Sequence, residues 1–118
     1  MNSSSARASP TISSRADATV LLAHAGGQVV GMASYSLLWP AAGAEKSLYL
    51  KELFVREAAR RQGVAAALMT AVRSTAAKMG CTRVEWTADT DNPAALAFYQ
   101  SRGAEPRGGK VFFRAEGP

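Results

Sequence analysis

Apolar runs divide the first half of the chain into three predicted strands. Residues 18–25 and 28–39 are rich in Val, Leu and small residues, and the pair Gly26-Gly27 separates them. Two apolar runs joined by two glycines predict a β-hairpin, because glycine adopts the positive φ that a tight two-residue turn needs. A further run, residues 47–55, also has strand composition. We therefore expect mainly β structure in this half.

The pattern changes to helical spacing between residues 62 and 79. Apolar side chains recur there at intervals of three or four residues, at Val64, Leu68, Val72, Ala76 and Met79. That spacing predicts a helix with one apolar face, which Gly80 ends as a left-handed cap. A second helix is predicted to begin with Asn92 as N-cap and Pro93 in the first position, and Gly103 closes it.

Two later segments predict further strands. Residues 83–89 alternate apolar and polar side chains, and residues 110–115 have strand composition. The predicted order is therefore strand, strand, strand, helix, strand, helix, strand. A helix between the strands 47–55 and 83–89 indicates a right-handed crossover and a parallel pair. The predicted fold class is α/β (α+β), with a mixed, mostly antiparallel sheet, a central parallel pair and two main helices.

Length and composition predict how the chain is divided into domains. The chain has 118 residues, of which 47% are hydrophobic and 19% charged, as in one globular domain with a single core. Residues 1–16 are rich in serine, contain arginine and lack acidic side chains. They predict a flexible tail, with an organelle transit peptide as the alternative. We expect a single domain over residues 17–118.

The cysteine, histidine and hydropathy patterns exclude several classes of protein. Cys81 is the only cysteine and His24 the only histidine, which excludes an internal disulfide framework and metal sites built from several of these residues. No apolar run approaches the ~18 residues of a membrane span. These features predict a cytoplasmic protein without a metal ion or a membrane partner.

Positive charge is concentrated beside one glycine. The net charge is +5, and Arg56, Arg60, Arg61 and Arg73 lie within 18 residues of one another, in a stretch that includes Gly63 at the start of the first predicted helix. A helix N-terminus offers unpaired amides and a partial positive charge, and glycine lets an anion approach the backbone. The cluster therefore indicates a diphosphate cradle, with an ordinary solvated helix start as the alternative. Nucleic-acid binding lacks support, because basic and aromatic residues do not interleave and zinc-finger spacing is absent.

Two motifs carry a resemblance to a known family. Residues 60–65, Arg-Arg-Gln-Gly-Val-Ala after a strand, resemble motif A of the GNAT superfamily of N-acetyltransferases, Gln/Arg-x-x-Gly-x-Gly/Ala. Residues 92–104 resemble the family's segment Asn-x-x-Ala-x-x-Phe-Tyr-x-x-x-Gly-Phe/Ala. The resemblance runs from about residue 18 to residue 114 and is strongest to the diamine acetyltransferase-like branch. Two motifs in the right order are far more specific than either one alone.

The resemblance implies transfer of an acetyl group from acetyl-CoA to a primary amine, and it names the residues of the site. The two parallel strands are expected to splay apart beside the cofactor. The backbone of residues 53–55 would pair with the pantetheine arm, and amides between Arg61 and Ala66 would hold the diphosphate. The full set implied for the cofactor is Leu53, Phe54, Val55, Arg60, Arg61, Gln62, Gly63, Val64, Ala65, Ala66, Asn92 and Tyr99.

Tyr99 and Glu52 are the catalytic candidates. The tyrosine of the Phe-Tyr motif is implied to protonate the leaving thiolate, with a packed core tyrosine as the alternative. Glu52 is the candidate general base, because simple alternation places it with Leu48 and Leu50, partly desolvated on the apolar side of its strand. A β-bulge would break that alternation, and a surface carboxylate is the alternative. The branch usually has Glu-Asp where this chain has Lys51 and Glu52, so Lys51 would repel a polyamine.

The start of the chain departs from the family pattern. Relatives place a strand and two helices before the strand that corresponds to residues 18–25, whereas only 17 residues precede it here. Such a shortened fold would leave an apolar sheet face uncovered, which predicts a homodimer, with a fragment of a longer chain or a degenerate family member as the alternatives. The alternatives to an N-acetyltransferase for small primary amines are a non-catalytic CoA-binding or regulatory module and a small basic protein that binds nucleic acid or another protein.

Overall fold

The computed structural model describes residues 10–14 and 19–117. Within these ranges, strands and helices follow in the order β1 (Thr11–Ser14), β2 (Val20–Ala25), β3 (Gln28–Leu38), β4 (Ser47–Val55), α1 (Val64–Lys78), β5 (Arg83–Glu85) and α2 (Pro93–Ser101). Short 3₁₀ turns, Ala42–Ala44 and Glu57–Ala59, precede β4 and α1. Two compact units divide the chain, Met1–Trp86 and Thr87–Pro118. The single domain expected over residues 17–118 stays a prediction.

The first unit is built on a five-stranded sheet with the order β1-β2-β3-β4-β5. The strands β1 to β4 are antiparallel to one another, and β4 and β5 are parallel. The crossover from β4 to β5 runs through α1, as a parallel pair requires. The predicted fold class, a mostly antiparallel sheet with a parallel pair and two helices, is confirmed.

The β2–β3 hairpin forms where the two glycines predict it. Gly26 has a φ of +58° and Gly27 a φ of +78°, and the strands meet at Ala25↔Gln28. Two successive residues with positive φ match the twist of the flanking strands, and other residue types adopt this conformation only with strain.

Helix α1 covers one face of the sheet and forms the core with it. It contacts β2, β3 and β4. The buried side chains on this face of the sheet are Leu21, Ala23, Ala33, Tyr35, Leu48 and Leu50, and those of α1 are Val64, Leu68, Met69, Val72 and Ala76. Full burial of a leucine such as Leu68 contributes roughly 1.5–3 kcal/mol. Met79 departs from the predicted apolar face: it is 40% exposed, because the helix ends before the left-handed Gly80 (φ +76°).

Part of the predicted tail is a strand instead. β1 pairs with β2 from Thr11↔His24 to Ser14↔Leu21, and Ser13 Oγ is hydrogen-bonded to His24 Nε2 at 2.8 Å. The outer edge of β2 offers unpaired amides and carbonyls, so a polar segment without a core of its own forms a strand by satisfying them. The prediction of a flexible tail is therefore wrong for residues 11–14. Residues 1–9, 15 and 16 lie outside the described residues.

Two other predicted strands are shorter or absent. β5 ends at Glu85 and not at residue 89, because β4 pairs with it only over residues 47–49. Residues 110–115 form no strand, and Phe112 and Phe113 are 73% and 86% exposed. Strand composition is not sufficient here. A strand needs a hydrogen-bonded neighbour, and none pairs with this segment in the described part of the chain.

Candidate functional site

The parallel pair opens where β4 continues beyond β5. The two strands pair from Ser47↔Arg83 to Tyr49↔Glu85, and within the described residues no pairing follows. β4 nevertheless continues to its last residue in the ladder with β3. The segment 50–55 of β4 therefore has a free edge on the side of β5. The splayed pair that the resemblance implied is confirmed.

A β-bulge at Lys51 lies at this opening. Ser34 of β3 pairs with Glu52, whereas the next residue, Tyr35, pairs with Leu50, so Lys51 has no residue opposite it. Opposed residues in an antiparallel ladder share a face, and successive residues along β3 alternate between faces. Leu50 therefore lies on the α1 face with Tyr35, and Glu52 lies on the other face with Ser34.

Glu52 is exposed on the face away from α1. The alternation that placed it beside Leu48 and Leu50 is wrong, because the extra residue Lys51 reverses the alternation of faces along β4. Lys51 is exposed as well. The two oppositely charged neighbours are therefore both accessible from solvent at the opening of the strand pair.

The free edge of β4 presents the backbone groups of alternate residues. Just beyond the end of the strand, Arg56 N donates to Val30 O at 2.8 Å. Backbone groups of an antiparallel strand point alternately toward its partner and away from it. Those of Leu53 and Val55 therefore point away from β3, into the gap left by β5. An extended ligand can hydrogen-bond to this edge as an added strand does.

The turn after β4 is held by side chains that bond to its own backbone. Arg60 Nε donates to Val55 O at 3.2 Å, and Gln62 Nε2 donates to Ala58 O at 3.4 Å. Arg61 has a φ of +64°, a left-handed conformation that costs a non-glycine residue roughly 1–2 kcal/mol. Arg60 thus binds the last carbonyl of β4. The amino-acid sequence does not predict this role of Arg60, because a side-chain contact across a turn has no local sequence pattern.

Helix α1 begins without a competing cap. Its N-cap is Gly63 with a φ of +80°, no side chain caps it, and its first turn contains no acidic residue. Ala67 N donates to Gly63 O at 3.0 Å, so the amides that precede Ala67 have no partner within the helix. A Cβ added to Gly63 would meet no atom within 4 Å, so the space directly beside this residue is open.

These features fit the diphosphate and pantetheine of acetyl-CoA. The amides of residues 64–66 lie at the helix start, where the helix dipole favours an anion, and the exposed Arg61 adds a full positive charge. The strand that leads into the helix supplies the free edge. The first unit therefore holds two expected parts of a cofactor surface, which we call the edge half (residues 53–55) and the helix half (residues 63–66).

Asn92 begins α2 in the second unit. Its Oδ1 accepts a hydrogen bond from Ala95 N at 3.2 Å, and Pro93 occupies the first helical position. The predicted N-cap is confirmed. A contact between Asn92 and the cofactor stays a prediction.

Tyr99 lies half-buried in α2. Its ring packs edge-on against Phe98, with centroids 5.5 Å apart and an interplanar angle of 63°. Burial raises the pKa of the Tyr99 hydroxyl above its ordinary value, because desolvation disfavours the phenolate. The hydroxyl therefore keeps its proton at neutral pH, as a proton donor must.

The predicted site residues fall into two groups. Glu52 and the cofactor residues from Leu53 to Ala66 form one continuous run in the first unit. Asn92 and Tyr99 lie in the second unit. Their binding and catalytic roles stay predictions.

Two kinds of feature are absent from residues 10–14 and 19–117. Neither helix is both long and apolar enough to cross a membrane. No group of three or more His, Cys, Asp and Glu side chains could hold a metal ion. The cytoplasmic location and the chemistry without a metal stay predictions.

The motifs, the splayed strands and the uncapped helix start agree with what a comparison of families finds. The profile of the Acetyltransferase (GNAT) family matches residues 3–104. Because this match covers most of the chain, the chain belongs to that family.

Known proteins sharpen the comparison. The chain is 36% identical over 77 residues to the L-ornithine N5-acetyltransferase NATA1 of Arabidopsis thaliana, covering 65% of this chain and 34% of that protein. An integron cassette protein from the mobile metagenome of V. cholerae is similar in structure, with a TM-score of 0.78 and 37% identity over 83% of this chain and 60% of that one. The aminoglycoside N-acetyltransferase AAC(6')-Iy, in complex with CoA, has a TM-score of 0.72 and 25% identity, and the match covers 86% of this chain and 70% of that one. The chain thus spans 34% of the ornithine enzyme and 60% of the cassette protein.

Proposed function

We propose that this protein is an N-acetyltransferase that uses acetyl-CoA to acetylate a primary amine of a small molecule. The observation that carries the proposal is the presence in one unit of a free strand edge followed by an uncapped helix start. Membership of the family and similarity to two proteins named as N-acetyltransferases support it.

The edge half and the helix half together suit an extended ligand that carries a diphosphate. Backbone groups of the edge half can pair with the amides of the pantetheine arm, and those of the helix half can bind the diphosphate. The residues that we propose to hold acetyl-CoA are Leu53, Phe54, Val55, Arg60, Arg61, Gln62, Gly63, Val64, Ala65, Ala66, Asn92 and Tyr99. When bound, acetyl-CoA supplies an acetyl group that is activated as a thioester.

Glu52 and Tyr99 are proposed to move the protons. The exposed carboxylate of Glu52 accepts a proton from the ammonium group of the acceptor, directly or through a water molecule. The Tyr99 hydroxyl donates its proton to the leaving sulfur, and its raised pKa keeps that proton in place until then. Glu52→Gln keeps the shape of the side chain and removes the base, so it should slow turnover without weakening CoA binding.

Lys51 bears on the choice of acceptor. It is the bulged residue of β4, exposed next to Glu52. Its positive charge repels a second ammonium group and attracts a carboxylate, so a polyamine is a poorer acceptor than an amine that also carries a carboxylate. L-ornithine, in the name of the Arabidopsis relative, combines amines with a carboxylate. We therefore propose an amino-acid-like amine as the acceptor.

The sheet face away from α1 favours a homodimer. Leu22, Met32 and Phe54 lie opposite one another on this face across β2, β3 and β4. Leu22 and Met32 are half-buried, and Phe54 is 52% exposed. A row of apolar side chains is typical of an interface, and a second copy of the chain would cover it. Light scattering that gives about twice 12.4 kDa at micromolar concentration supports the dimer, and a monomer contradicts it.

A thiol-release assay tests the activity. Acetyl-CoA is mixed with L-ornithine, putrescine or an aminoglycoside, and free CoA is measured as it forms, with an amine-free reaction as the control. We expect release to be fastest with L-ornithine. Binding of CoA in calorimetry without release on any amine would instead identify a non-catalytic CoA-binding module. Neither binding nor release would contradict the proposal as a whole.

A further inference from the structure

Gly31 is a buried glycine in the middle of the sheet. All ten glycines of the chain lie in the described ranges, and Gly31 is the one where an added Cβ would come closer than ordinary van der Waals contact to other atoms. Its φ is not in the left-handed region, so the backbone conformation does not require glycine. What requires glycine here is space.

The atoms around Gly31 belong to the two elements that carry the cofactor surface. A Cβ would lie 2.9 Å from Phe54 O, 3.0 Å from Val64 Cγ1 and 3.2 Å from Leu68 Cδ1. Phe54 belongs to the edge half, and Val64 is the first residue of α1. Phe54 O is a backbone atom and Leu68 is fully buried, so neither can move aside at low cost. A methyl group would act as a wedge between the end of β4 and the start of α1.

We propose that Gly31 is a positioning residue that sets the spacing between the edge half and the helix half. This inference rests on the proposed function, because it assumes one ligand that contacts both halves. A ligand with two linked parts binds more tightly than either part only when both sites are at the distance that the linkage spans. A displacement of under 1 Å between the halves therefore weakens the whole ligand more than it weakens either part.

A purely structural role for Gly31 gives a different result. If the glycine only allowed the core to pack, its replacement would lower stability and would weaken all ligands of the site to a similar degree. If it sets the spacing, the replacement weakens the linked ligand selectively. The difference can be measured with fragments of the cofactor.

The test is Gly31→Ala, titrated by calorimetry with CoA, with adenosine 3′,5′-bisphosphate and with pantetheine. The first fragment carries a phosphate for the helix half, and the second carries the amides for the edge half. We expect CoA affinity to fall roughly tenfold to 100-fold, while the affinity for each fragment changes by less than about threefold. Gly108→Ala, where the added Cβ meets no atom within 4 Å, is the matched control and should leave all three affinities unchanged.

Two results overturn the inference. Unchanged CoA affinity in a folded Gly31→Ala protein shows that the spacing does not depend on this residue. An equal loss for CoA and both fragments shows a structural role. If the wild-type protein binds no CoA, the proposed function itself fails, which is a distinct outcome.

A second variant keeps the inference testable if Gly31→Ala does not fold. In a Val64→Ala background, Cγ1 is gone and part of the space that the added methyl needs is available. We expect Gly31→Ala to fold there and to cost several-fold less CoA affinity than in the wild-type background. An equal cost in both backgrounds contradicts the wedge.

Discussion

The two ends of the β4–β5 pair differ in whether their polar groups have hydrogen-bond partners. At the start of the pair, which we call the closed end, Ser47 is fully buried and its hydroxyl donates to Glu85 Oε1 at 2.7 Å. Lys46 Nζ donates to Met79 O at 2.8 Å and binds the last turn of α1. At the open end, formed by the edge half and the helix half, no strand among the described residues pairs with the strand edge, and the helix has no side-chain cap.

This difference separates stability from binding along the same strands. A protein hydrogen bond contributes about 1 kcal/mol, and a buried group left without its partner costs more. The open end instead contains helix amides that no side chain caps, and the turn between its two halves contains the strained backbone of Arg61. Changes at the closed end should therefore lower stability, and changes at the open end should weaken ligand binding.

Gly63→Glu is expected to give the largest effect, because it breaks the open end directly. The variant places a carboxylate where we expect the diphosphate, so CoA affinity should fall at least ~100-fold in calorimetry. Gly63→Gln introduces a side chain of similar size, with the same backbone strain at φ +80° but without the negative charge. Its CoA affinity should therefore fall less than that of the glutamate variant. Unchanged CoA binding in the glutamate variant contradicts the open end as the cofactor site.

Tyr99→Phe tests whether the rate of acetyl transfer can be lowered without changing the CoA affinity that the open end provides. Loss of a positioned proton donor should lower kcat about 10²-fold, with CoA affinity within threefold of the wild type. Because burial raises the pKa of Tyr99, the alkaline fall of the wild-type rate should lie above the range in which an ordinary tyrosine titrates, and the Phe variant should lack this fall. A Phe variant with the wild-type rate and pH profile would remove Tyr99 as the acid.

Lys51→Glu tests whether the charge beside the open end decides which amine the site accepts. L-ornithine and putrescine differ only in the carboxylate, so the ratio of their kcat/KM values reports how the site treats that group. Reversing the charge at the bulge should shift the ratio toward putrescine by about tenfold. Lys78→Glu, an exposed lysine at the end of α1, makes the same change in net charge and should leave the ratio unchanged. A ratio that moves equally in both variants shows an effect of net charge alone.

Ser47→Ala tests the closed end and is expected to give the smallest effect. Removing the hydroxyl leaves Glu85 Oε1 without this donor, so the free energy of unfolding should fall by about 1–2 kcal/mol in urea titrations. Affinity for CoA should stay unchanged. Ser74→Ala on the exposed side of α1 is the control and should not lower stability. A Ser47 variant that loses CoA affinity while keeping its stability would contradict the separation of the two ends.

The sequence predicts those features that depend on local backbone chemistry. The Gly26-Gly27 turn, the helix over residues 64–78 and the cap at Asn92 follow from φ preferences, apolar spacing and a short polar side chain, and the structure contains all three. Each of these signals lies within a few residues of the feature that it specifies.

Features that depend on distant partners could not be predicted in this way. The bulge at Lys51 is defined by pairing with β3, and it moves Glu52 to the opposite face without any local signal. β1 exists because β2 has an open edge, although three of its four residues are polar. Gly31 lies within an apolar run, where sequence alone does not show that Phe54 O and Val64 approach it.

Hydrogen–deuterium exchange with and without CoA tests the central claim most directly, because it reads the backbone amides of both ends in one experiment. We predict that CoA slows exchange within residues 53–55 and 63–66, at the amides of Leu53 and Val55, which point away from β3, and at those of residues 64–66 at the helix start. Residues 47–49, already paired on both sides, should exchange slowly in both states. CoA binding that leaves exchange at residues 53–55 and 63–66 unchanged would contradict the claim that the open end holds the cofactor.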